Sequence, residues 1–166
     1  MAELWQQIVF WVFAVMITGA GIGVVTSRNV VHAALWLVGA LMGAAAMYVL
    51  LFAEFVAWVQ VLVYVGAIVV LMLFGLMLTR APIGSANFDN NQRPLAALCS
   101  LAVFVVSAGI VISAFEGQEI NFARAAGITT ESVGAAVFSA YVLPFEVVSV
   151  LLLAALVGAI VIARRD

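Results

Sequence analysis

Five long apolar runs separated by short polar breaks dominate the pattern of this chain. The first covers about 4–25, with no charge between Glu3 and Arg28. In the break that follows, Ser27 or Asn29 is placed to cap the next helix by accepting a hydrogen bond from a free backbone amide. The second run covers about 30–52 and carries His32 near its start; Glu54 ends it. The third covers about 55–78. A polar stretch from Arg80 to Pro94, rich in Asn, Gln, Gly and Ser, reads as a loop. The fourth run, about 95–115, leads to a second polar stretch, Glu116 to Ser132. The last apolar stretch, from Val133 to Ile162, is too long for one perpendicular span. A short interfacial helix over about 131–140, capped by Thr129 or Thr130, followed by a span over about 141–163 fits it better. Pro144 then falls in the first turns of that span, where its missing N–H costs least.

Twenty helical residues rise about 30 Å, the thickness of the hydrocarbon core. Barrel strands alternate apolar and polar over about ten residues. These runs are apolar all round and about twice that length, so the reading is all-α. The expected architecture is one polytopic transmembrane domain over residues 1–166, with about five transmembrane helices. Composition agrees: 67% of residues are hydrophobic and 8% charged, against about a quarter charged in soluble domains. The first run is a poor signal peptide, because Glu3 precedes it without Lys or Arg.

The arginines set an orientation. With five spans, Arg28, Arg80, Arg93, Arg164 and Arg165 share one side, and Arg124 alone falls on the other, beside Glu116, Glu119 and Glu131. The positive-inside tendency puts the N-terminus outside and the C-terminus in the cytoplasm. One span more or fewer would scatter the arginines. Gly19/Gly23 and Gly39/Gly43, each pair four residues apart, are expected to let helix backbones approach closely.

Chemistry-bearing residues are few. One Cys (Cys99) and one His exclude a disulfide within the chain and any Cys/His metal pattern. There is no phosphate loop, nucleophile elbow, triad or basic patch for nucleic acid. The loops are too short for a catalytic domain, so a reaction centre must belong to a partner. Glu54 at the outer turn reads either as a headgroup-level carboxylate or as a wet, proton-relevant site. Glu146, early in the last span, is expected at an interface or a functional position. Tyr64 and Gly66 sit mid-way along the third run, with Gln60 one turn before Tyr64. From these residues alone the third helix is straight with a packing glycine, and a π-bulge is the alternative.

Four stretches carry a family resemblance: Asn29-Val30-Val31-His32-Ala33-Ala34-Leu35; Glu54-Phe55-Val56-Ala57 through Gln60-Val61-Leu62-Val63-Tyr64-Val65-Gly66-Ala67-Ile68-Val69-Val70-Leu71; Tyr141-Val142-Leu143-Pro144-Phe145-Glu146; and Ser149 through Leu153. In order and spacing the chain resembles the J-type small membrane subunit of bacterial NADH–quinone oxidoreductase, respiratory complex I. The family often has proline where this chain has Val30, and some members have a carboxylate where it has Gln60. The resemblance implies a π-bulge at Tyr64 to Ile68, in a helix that switches between bulged and regular forms and so makes or breaks a water path. It makes Glu54 the first candidate for a proton group and Glu146 a contact to water or a neighbouring subunit. It implies no cofactor in this chain, with NADH, FMN, iron–sulfur clusters and quinone bound by partners. Those partners are the other membrane-arm subunits and the lipid bilayer, in a bacterial cytoplasmic membrane. The competing readings are a purely structural subunit and a component of a related cation/proton antiporter.

Overall fold

The computed structural model describes residues 2–79, 92–118 and 129–164. Every regular element among them is helical: α1 (Ala2–Thr26), α2 (Val30–Leu50), α3 (Glu54–Leu78), α4 (Arg93–Phe115), α5 (Thr130–Val137) and α6 (Val142–Ala163). All but α5 are long and apolar enough to cross a bilayer, giving five membrane spans. The loops around Arg80 and Arg124 lie outside the described residues.

Local chemistry sets the boundaries. Asn29 is the cap of α2, its Oδ1 accepting from the Val31 N–H at 2.9 Å, while Ser27 donates its hydroxyl to the Asn29 carbonyl at 3.1 Å. At the far end of α2 the chain reverses in a tight bend. Ala53 N–H donates to Tyr48 O at 2.9 Å and Phe52 N–H to Val49 O at 3.0 Å. This pair of bonds defines a Schellman ending, whose turning residue is left-handed and usually glycine. Here that residue is Phe52, at φ 59°. Helix α2 therefore stops at Leu50, short of the expected 52, and Glu54 becomes the first residue of α3. Helix α4 starts with Pro94 in its first turn, and left-handed Gly117, at φ 77°, follows its end. Thr129 caps α5, its side chain accepting from the Ser132 N–H at 3.3 Å. Helix α5 ends at Val137, and 138–140 form a turn rather than the last part of the helix expected to 140.

The tightest packing joins α1, α2 and α3. Small residues permit it: Ala20, Ala34, Ala45 and Ala57 are buried between helices. A Cβ on Gly43 would overlap Ile17 Cγ1 and stand 3.0 Å from Met16 Cε. One on Gly23 would meet the Trp36 ring at 2.5 Å, and one on Gly39 would just touch Ala20 at 3.7 Å. Around Gly19 there is open space. Helix α5 lies against the first turns of α3. Helix α4 faces α1 across a shallow groove lined by Thr18, Ile22, Ser100 and Phe104, among others. The hydroxyls there are spent on their own helices: Thr18 bonds Ala14 O at 2.8 Å and Ser100 bonds Ala97 O at 2.9 Å.

Candidate functional site in the third helix

Helix α3 is not uniform. Glu54–Val59 is α-helical, Gln60–Val69 is π-helical, and Val70–Leu78 is α-helical again. The π segment includes the Tyr64–Ile68 stretch and extends beyond it on both sides. The straight helix favoured by the residues alone is thus corrected. Gly66 lies inside the segment and is its one residue without a side chain. A Cβ there would lie 3.4 Å from the Val61 carbonyl oxygen, five positions earlier, which is ordinary contact distance. Five is the spacing of π-type bonding. Space does not demand a glycine here; what glycine supplies is a backbone freer than any other in the segment.

The widened turn changes which residues share a face. Bonding from i to i+5 takes roughly 4.4 residues per turn instead of 3.6. Gln60 and Val69 open and close the segment, and both are buried, at 9% and 2% exposure. The nine residue steps from one to the other amount to about two π turns, which brings them to one side; regular α geometry would set them on opposite sides. Helix α2 packs along this segment. The π geometry therefore lets one apolar neighbour cover both ends of the segment.

Gln60 is the one buried polar side chain among the described residues. It lies six positions beyond Glu54, or about 9 Å into the span. Its neutral amide is cheaper to keep there than a carboxylate would be. Tyr64, one turn on, is 46% exposed, and its neighbour Gly66 is exposed as well. The structure thus separates Gln60, which faces protein, from Tyr64, which faces outward.

The two carboxylates stand on different helices. Glu54 is exposed in the first turn of α3, and α5 passes beside that turn. Glu146 is exposed in the second turn of α6, near Pro144. Ser149 turns its hydroxyl back to Phe145 O at 2.9 Å. His32 is exposed in the first turn of α2. No group of three or more His, Cys, Asp or Glu converges among the described residues. A four-thiolate iron–sulfur site cannot be assembled from a chain with one cysteine.

The π segment thus interrupts one helix of a scaffold of five spans. The family described as NADH-ubiquinone/plastoquinone oxidoreductase chain 6 matches residues 20–162. The chain belongs to this family. Among chain 6 relatives, NAD(P)H-quinone oxidoreductase chain 6 of Synechocystis sp. is 39% identical over 170 residues, covering 100% of this chain and 84% of the relative. F(420)H(2) dehydrogenase subunit J of Methanosarcina mazei is 42% identical over 163 residues, covering 97% and 92%. The chloroplastic NAD(P)H-quinone oxidoreductase subunit 6 of Mesostigma viride is 42% identical over 149 residues, covering 87% and 77%. The chain 6 match takes in all of α2, α3, α4 and α5, so the π segment lies well inside it.

Proposed function

We propose that this chain is a non-catalytic membrane-arm subunit of a proton-pumping NADH–quinone oxidoreductase, and that it couples quinone reduction to proton movement through a change of form in α3. The observation that carries this reading is the π segment Gln60–Val69, bounded by regular helix at both ends. π-Helices are rare and gather at functional sites. Conversion of this segment to α geometry would turn Val70–Leu78 by nearly half a revolution relative to Glu54–Val59. Gln60 and Val69 could not then both face α2. Such a rotation would change which residues meet a neighbouring subunit or a file of water. Glu54, at the head of α3, and Glu146, at the head of α6, are the carboxylates we assign to proton traffic or subunit contact.

NADH, FMN, the iron–sulfur clusters and quinone belong to partner subunits in this reading. The relatives support that division. Subunits named for NAD(P)H and for F420H2 are each about as similar to this chain, along nearly its whole length. What they share cannot be the device that selects the electron donor. We place the complex in a bacterial cytoplasmic membrane, with the N-terminus outside and the arginine-bearing C-terminus inside.

Replacing Gly66 with Val tests the proposal. Glycine leaves the backbone free and a β-branched residue confines it, so the substitution shifts the balance between π and regular helix by about 1 kcal/mol, roughly a fivefold change in population. Proton flux per NADH oxidised should fall in membrane vesicles that hold a normal amount of assembled complex. Unchanged flux would refute the switch. The close packing of α1 on α2 at Gly43 and Gly23 favours a second reading, a purely structural subunit. In that case Gly66→Val would lower activity only as far as it lowers assembled complex.

A further inference from the structure

Helix α5 is short, lies outside the five spans and is joined to two of them. Its half-buried positions, Val133, Gly134, Ala136 and Val137, gather on one face, while Glu131, Ser132 and Ala135 are exposed. That is the pattern of a helix docked along one side. On one flank it lies against Glu54–Val59, the regular turns of α3 immediately before the π segment. On the other it is tied to the start of α6. Tyr141 N–H donates to Ala136 O at 3.1 Å, Phe145 N–H donates to Tyr141 O at 3.1 Å, and the Phe138 and Phe145 rings meet edge to face at 5.2 Å. Helix α6 has no extended packing contact with any other described element.

We propose that α5 is a clasp, which holds the first turns of α3 and the first turns of α6 as one unit at the membrane surface. The geometry gives the clasp two consequences. It fixes Glu54–Val59 while the backbone beyond Gln60 adopts another hydrogen-bond pattern, so the α-to-π junction sits where the clasp ends. It also sets the position of Glu146 relative to Glu54, because both carboxylates lie on helix ends that the clasp joins. The clasp rests on contacts within this chain and not on the proposed role in proton pumping.

Hydrogen exchange of the assembled complex in lipid nanodiscs tests it. Val133→Asp and Val137→Asp each place a charge on the docked face; Ala135→Asp places the same charge on the exposed face. Both docked-face variants should speed exchange of the amides in 54–59 and 141–146 by about tenfold or more, together, while Ala135→Asp leaves both segments within about twofold of the parent. If the aspartate variants fail to assemble, Val133→Ala and Val137→Ala should show the same paired change at smaller size. Faster exchange in only one segment, equal effects of all three aspartates, or no change in either segment would overturn the proposal. None of these readouts depends on proton flux, so a failed clasp and a failed switch are distinguishable.

Discussion

The chain turns from α2 into α3 at Phe52. A left-handed conformation costs an L-residue with a side chain about 1–2 kcal/mol, and glycine avoids most of that cost. The tight bend between α2 and α3 nevertheless places Phe52 at φ 59°. Comparing Phe52→Ala with Phe52→Gly isolates the backbone, because both remove the ring. Glycine normally destabilises relative to alanine, but here Phe52→Gly should be the more stable of the two by about 1 kcal/mol in thermal melts of the detergent-solubilised complex. A lower melting temperature for Phe52→Gly would remove the left-handed bend from the account. The glycines of the α1–α2 contact are ranked by a similar argument. Gly43 is buried with Ile17 and Met16 against it, whereas Gly19 borders open space. Gly43→Val should destabilise by about 1–3 kcal/mol, and Gly19→Ala should stay within about 0.5 kcal/mol of the parent. Equal effects at the two sites would show that spacing alone, and not the facing side chains, decides which glycines pack.

At the scale of elements, the spans were legible because lipid leaves the backbone few alternatives: an uncharged run of sufficient length must satisfy its own hydrogen bonds. The caps were legible only as pairs of candidates, Ser27 or Asn29 and Thr129 or Thr130, because short polar side chains cluster at both breaks; the structure selects Asn29 and Thr129, which accept from the next turn. The π segment was not legible from periodicity. α3 is apolar on all sides, so a change from about 3.6 to about 4.4 residues per turn leaves no mark in its hydrophobic pattern. The signal lay in Gly66 and Gln60, and resemblance rather than physics gave it meaning. The bend at Phe52 was hidden for the opposite reason, because a phenylalanine announces nothing about a left-handed turn. Separation of Gln60 from Tyr64 also escaped the sequence. One-turn spacing suggested a common face, but burial is decided by where α2 lies.

At the scale of the whole molecule, the chain divides into a packed part and a pair of outlying spans. α1, α2 and α3 bury small residues against one another, and α5 is pinned to the head of α3. α4 meets α1 only across a shallow groove, and the spanning window of α6, like that of α4, has no buried residue within the chain. In lipid there is no hydrophobic drive to gather such helices; close packing or polar contacts must do so. The α1–α2–α3 unit should therefore keep its geometry when the chain is alone, while α4 and the far end of α6 should take theirs from neighbouring subunits. Pairs of spin labels can separate the two cases. A pair on Thr18 and Trp36, replaced by cysteine in a Cys99→Ala background, should give a narrow distance distribution in the isolated chain and in the complex alike. A pair on Val106 and Ile160 should give a broad distribution in the isolated chain and a narrow one only in the complex. A narrow distribution for the second pair in the isolated chain would show that the spans hold together through contacts weaker than close packing. The division between a self-sufficient trio and two borrowed spans would then fall.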